Sequence, residues 1–136
     1  MAVQYSTTCR NARQDAITTT VGTSGLLRIY SGTKPTNPGT ALSGNTLLAE
    51  LACSSTFAPA ASGGVLTLNA ISNDVSADAT GTASFFRVYK SDGTTCVSQG
   101  TVTATGGGGD MTLATVSIVA AAVISVTSAT FTEGNP

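Results

Sequence analysis

VSADATGTASFFRVYKSDGTTCVSQGTV, residues 75–102, carries the densest run of bulky residues in this chain and decides how the rest is read. Phe85, Phe86, Val88 and Tyr89 stand on one side of Ser91-Asp92-Gly93-Thr94, and Cys96, Val97 and Val102 stand on the other. Asp-Gly between two strand-like runs is a strong hairpin signal, because glycine supplies a positive φ cheaply. The stretch therefore predicts a β-hairpin around which the other strands pack.

Outward from it, the same grammar recurs. Towards the N-terminus, Val65 to Ile71 reads as a strand with Leu66, Leu68 and Ala70 on one face. Leu47 to Cys53 alternates Leu47, Ala49, Leu51 and Cys53 against Leu48, Glu50 and Ala52, a half-buried strand. Leu26 to Tyr30, LLRIY, is a further strand, followed by the loop SGTKPTNPGTALSGN, where Pro35 and Pro38 remove ladder donors. A loop this long is commonly functional or rests on a partner. Towards the C-terminus, the glycine run Gly106–Gly109 breaks any element, Met111 to Val119 holds a short strand and a turn, and Val123 to Thr132 is the last strand. Near the N-terminus, Tyr5, Cys9, Ala12 and Ala16 recur at helical spacing beside Ile17, predicting one helix over 6–20 with a small-residue face towards the sheet. Ser6 or Thr7 serves as its cap and Gly22 as its stop.

Strands punctuated by Gly, Pro, Asn and Asp, without βα alternation, predict an all-β single domain over 1–136: a β-sandwich or jelly-roll-like barrel of seven to eight short strands with one short N-terminal helix. Its parts are an arm at 1–5, the helix at 6–20, the sandwich at 26–132 and a frayed or partner-bound tail at 133–136.

The composition excludes more chemistry than it suggests. There is no histidine in the chain, so Ser-His-Asp and Cys-His catalytic systems and the usual zinc ligand sets are absent. Cys9, Cys53 and Cys96 are three, widely spaced and in no CxxC arrangement, which reads as small buried hydrophobes made in a reducing compartment. Six bases against seven acids give a net charge of −1, unsuited to a nucleic-acid surface. The longest apolar run, Ile118 to Ile124, is far too short to span a bilayer, and 1–14 lacks the apolar core of a signal peptide. The glycine run lacks the lysine of a phosphate loop, and Asp74 and Asp78 beside Asn69 and Asn73 read as turn caps rather than a calcium site. No catalytic, cofactor or metal residues are assigned. An enzyme reading falls last, because the acids sit singly near turns and chain ends, whereas a glycosidase needs two across a cleft.

Only 10 % of the residues are charged, against about a quarter in ordinary soluble domains. A surface so short of charge is either coated by the 24 threonines and 15 serines or completed by neighbouring subunits. Arg28 and Arg87 each lie mid-strand among apolar residues, two positions before Tyr30 and Tyr89. An arginine placed so must be paired, stacked on an aromatic ring or held at an interface. Arg10 and Arg13 fall together on the helix. LLRIYSGT at Leu26 and FFRVYKSDGT at Phe85 echo one another as two similar sheet strands.

Five segments in order, RNARQDAI at Arg10, LLRIYSGTKP at Leu26, LLAEL at Leu47, SADATGTASFFRVYKSDGT at Ser76 and VISVTSATFT at Val123, carry a resemblance to small virion structural proteins of tailed bacteriophages and prophages. The resemblance implies a non-enzymatic head decoration (cement) protein on the capsid exterior, synthesised in the host bacterial cytoplasm. Its implied partners are the major capsid protein and copies of itself as a trimer, with no nucleic acid, membrane or cofactor. A tail or baseplate component is the alternative, and an Ig-like module binding a cell-surface glycan is the second. On either structural reading, the contact residues are expected in the arm, the helix, the long loop and the two mid-strand arginines: Val3, Tyr5, Arg10, Arg13, Arg28, Lys34, Pro35, Pro38 and Arg87.

Overall fold

The structure, a computed structural model, describes residues 3–134. The helix, α1, spans Thr7–Val21. Ser6 caps it by accepting from the Cys9 amide at 3.2 Å, satisfying one of the orphan donors of the first turn. The amide of Gly22 closes the other end on the Thr18 carbonyl. The threonine run is accommodated because Thr19 and Thr20 donate their hydroxyls back to the carbonyls of Asp15 and Ala16.

Nine strands follow among the described residues: β1 Leu26–Tyr30, β2 Leu47–Ala52, β3 Val65–Thr67, β4 Gly81–Thr82, β5 Phe85–Tyr89, β6 Cys96–Ala104, β7 Met111–Leu113, β8 Ser117–Ile118 and β9 Thr130–Thr132. Five form one sheet in the order β2-β1-β5-β6-β7, curled into a half-barrel. β3 with β9 and β4 with β8 form two small ladders. Among the described residues the molecule is thus a small β-rich unit with a single helix.

The hairpin read from residues 75–102 is β5-β6. Its turn is fastened by Asp92, whose carboxylate accepts from the amides of Thr94 and Thr95 and from the Thr95 hydroxyl, while Gly93 takes φ +68°. The two echoing segments prove to be adjacent: β1 and β5 pair antiparallel with Arg28 opposite Arg87. β5 is buried along its whole length. Phe86 and Val88 enter the main core with Leu27, Ile29, Leu48, Leu51, Phe57, Leu66 and Ile118, and Phe85 and Tyr89 form a second cluster with Tyr30 on the opposite face. Full burial of one such side chain contributes about 1.5–3 kcal/mol, which makes this strand the centre of stability.

Several expectations need correction. A bulge in β2, where Leu48 has no partner between the Ile29–Ala49 and Tyr30–Leu47 pairs, breaks its alternation, so Leu48 and Ala49 are both buried. The strand expected over 65–71 stops at Thr67, and the one expected over 123–132 forms only at Thr130–Thr132. Residues 121–124 instead run beside 74–77, joined by Asp74–Ile124 and Ala77–Ala121/Ala122 backbone bonds. The helix also faces the other way. Cys9, Ala12 and Ala16 are exposed, and Gln14 and Val21 are buried. Polar side chains dock it: Asn11 accepts from the Gly64 amide and Asp15 from the Ala61 amide. Apolar periodicity cannot reveal such an attachment. Cys9 is accordingly an exposed thiol, Cys96 is half-buried and only Cys53 is buried.

Candidate functional site

The outer face of the half-barrel is built by β1 and β5. Leu26, Arg28 and Tyr30 alternate with the core residues Leu27 and Ile29, and Phe85, Arg87 and Tyr89 lie opposite them. The loop 31–46 folds back over this face rather than standing clear of it. Pro35 accepts at its carbonyl from the Gln99 side chain at 2.7 Å, and Asn45 donates to the carbonyls of Ser31 and Thr33. Lys34, Pro35 and Pro38 are half-buried as a result, and the loop presents residues 39–44 to solvent.

Arg87 is the pin of that loop. Its residue is 3 % exposed, and its guanidinium donates to Gln99 Oε1 at 3.1 Å, to the Asn37 carbonyl at 3.3 Å and to the Thr40 carbonyl at 2.8 Å. No carboxylate pairs with it among the described residues. Arg28 is balanced differently. Its Nε bridges to Glu50 Oε2 at 2.6 Å, its Nη1 donates to the Gly93 carbonyl at 2.7 Å, and its guanidinium lies 4.9 Å from the centre of the Tyr89 ring. Burial opposes its charge, but the hydrogen bond and charge of Glu50, with Tyr30, leave its pKa raised.

Between these groups and the loop lies a cavity of about 350 Å³, lined among others by Arg28, Tyr30, Arg87, Tyr89, Thr40 and Cys96. The Tyr30 hydroxyl donates to that of Tyr89 at 3.3 Å. Burial, and then this contact, push the Tyr30 phenol well above its ordinary range. Burial also raises the Cys96 thiol, against the pull of the nearby Arg87 charge. The arrangement can bind and orient an anion. A second cavity, of about 440 Å³, opens between the core face of the sheet and β9, with Phe86, Val88, Met111 and Phe131 among its lining residues.

The helix arginines are engaged within the chain. Arg10 donates through Nε and Nη2 to the Glu133 carbonyl at 3.1 and 2.6 Å, and Arg13 pairs with the Glu133 carboxylate at 2.7 Å. Glu133 is therefore anchored within the chain where a frayed or partner-bound tail was expected; the last two residues of that expectation, 135–136, lie outside the described residues, as do 1–2 of the arm. Arg13 also lies over the Tyr5 ring, and Val3 is 61 % exposed.

A surface the sequence reading missed lies elsewhere. Val75, Val119 and Val123 are 75, 58 and 63 % exposed. The bonds that run 74–77 beside 119–124 hold all three in one region. Two belong to the longest apolar run, of which Ile118 alone is fully buried. Length and apolarity point equally to a core strand; only the observed pairing distinguishes the two.

Among the described residues, no three His, Cys, Asp or Glu side chains gather as a metal site, and no helix is long and apolar enough to cross a membrane. Asp74 caps its turn, accepting from the amides of Glu50 and Ser76. No protein-family model, curated protein or solved structure matches the chain.

Proposed function

We propose that this chain is a non-enzymatic structural subunit of a bacteriophage virion, a head decoration protein that braces neighbouring capsid subunits from outside. The observation that carries the reading is the exposure of Val119 and Val123, from the apolar run 118–124, beside the exposed Val75. Isolated exposed valines need no explanation, but several brought together by one backbone pairing form the kind of patch that neighbours cover. The exposed Val3 and the outward small-residue face of α1 add a second contact region, free of bulky side chains at Cys9, Ala12 and Ala16. With 10 % charged residues, the surface suits an assembly in which many weak contacts are repeated by symmetry. The jelly-roll-like description belongs to the same proposal, with the β3-β9 and β4-β8 ladders as the layer facing the half-barrel.

Cosedimentation with particles lacking the chain tests this. The truncation removes residues 1–5 only, because Ser6 caps α1 and a longer cut destabilises the helix. Val75→Asp and Val123→Asp interrupt the other patch. All three variants fold and lose binding. Binding of the wild-type chain to separated heads, with none to tails, supports decoration; binding to tails alone assigns it there. Full binding by every variant removes both contact regions from the account.

A further inference from the structure

We propose that the cavity between Arg28 and Arg87 is a binding site for a single carboxylate of a partner protein. Its charge is the first reason. Two guanidiniums occupy directly paired positions of adjacent strands, an arrangement that is destabilising unless negative charge lies near. Glu50 supplies one carboxylate, to Arg28. Arg87 receives only neutral acceptors, although it is 3 % exposed. The site thus holds one uncompensated positive charge, removed from water and lining a cavity of about 350 Å³.

The donors are the second reason. A guanidinium carries five N–H groups in a fixed fork. The Nε and Nη2 of Arg87 are occupied by Gln99, Asn37 and Thr40, and its Nη1 meets no protein acceptor among the described residues. The Tyr30 hydroxyl spends its proton on Tyr89 Oη, so the Tyr89 hydroxyl keeps its own proton to donate. Arg28, itself tied to Glu50 and Gly93, interacts with Tyr30 and holds this chain of donors in place. Loop 38–42 walls the cavity and is fixed by the same Arg87, so an occupant and the loop order each other.

The ligand class follows from the charge. One carboxylate neutralises the excess, whereas phosphate, with a charge of about −1.5 to −2 at neutral pH, exceeds it in front of Glu50. The site stands whether or not the protein belongs to a particle, and its test uses the isolated full chain.

With arginine side chains labelled by ¹⁵N, the guanidinium resonances of Arg28 and Arg87 are followed while sodium acetate replaces sodium chloride at constant ionic strength. A saturable shift of both supports the site. Tyr89→Phe keeps the ring beneath Arg28 and weakens acetate binding about tenfold, as expected for one hydrogen bond to a charged group. A shift that never saturates, or one that chloride reproduces, overturns the site. Tighter binding of inorganic phosphate than of acetate overturns the carboxylate assignment. N-acetylaspartate α-amide and N-acetylalanine then separate a side-chain carboxylate from a chain terminus. The tighter binder names the source, and exclusion of both overturns a protein carboxylate.

Discussion

Replacing Arg87 with Met keeps an unbranched side chain on β5 but deletes the guanidinium. Three acceptors are released: Gln99 Oε1 at 3.1 Å, the Asn37 carbonyl at 3.3 Å and the Thr40 carbonyl at 2.8 Å. Hydrogen bonds to a charged donor contribute about 1.5–3 kcal/mol each when well formed. The Thr40 bond qualifies by length; the other two are longer and weaker. The Thr40 bond therefore sets the loss at about 2 kcal/mol, borne mainly by the loop, because Gln99 retains its bond to the Pro35 carbonyl. For a chain of this size that lowers Tm by about 7 °C. Locally the same loss increases opening of the loop about thirtyfold. The Thr40 amide, which donates to the Asn37 carbonyl at 3.1 Å, reports it by hydrogen exchange. A variant that melts within about 1 °C of wild type, with Thr40 protection unchanged, refutes the claim that Arg87 pins the loop.

Gly100→Ala places a Cβ 2.6 Å from Phe86 Cε1 and 2.9 Å from Asp110 Cβ, and should cost about 1–3 kcal/mol by chemical denaturation; an unchanged midpoint contradicts the packing described for β5-β6. Thiol titration at pH 8 should count one fast equivalent, the exposed Cys9, because burial pushes Cys53 up to about 11 and raises Cys96 as well; two fast equivalents contradict the protection of Cys96, and three contradict the burial of Cys53. The Tyr30 phenol binds its proton more tightly in the fold than in the unfolded chain, so its contribution is complete below the ordinary tyrosine value of 10.0 and falls as pH rises towards the folded value. Urea unfolding should show stability declining above that pH, and Tyr30→Phe should reduce the decline.

The hairpin, β1 and the helix were legible in the sequence because each has a local cause: Asp92-Gly93 for the turn, alternation around Arg28, and Ser6 and Gly22 at the helix ends. The orientation of α1 was not legible. Its contacts run through Asn11, Asp15, Arg10 and Gln14 to the turn at 61–64 and to Glu133, and polar docking leaves no apolar period to read. Arg28 and Arg87 were recognised as needing partners, but the partners depend on register and on where a fifteen-residue loop comes to rest. Neither is encoded within a short window. The apolar run 118–124 was read as too short for a membrane, with its two ends placed in strands. The exposure of Val119 and Val123 follows from a left-handed turn at Ala121, φ +67°, and from the backbone bonds to 74–77 that the turn allows.

The direct test of the central claim is a cryo-EM map of particles purified from a lysate in which the chain is expressed from its native genome. The account predicts this half-barrel on the outer surface of the head, with Val75, Val119 and Val123, or the segment before α1, buried against a neighbouring subunit. Particles that contain no copy of the chain, or copies whose patches all face solvent, would contradict it.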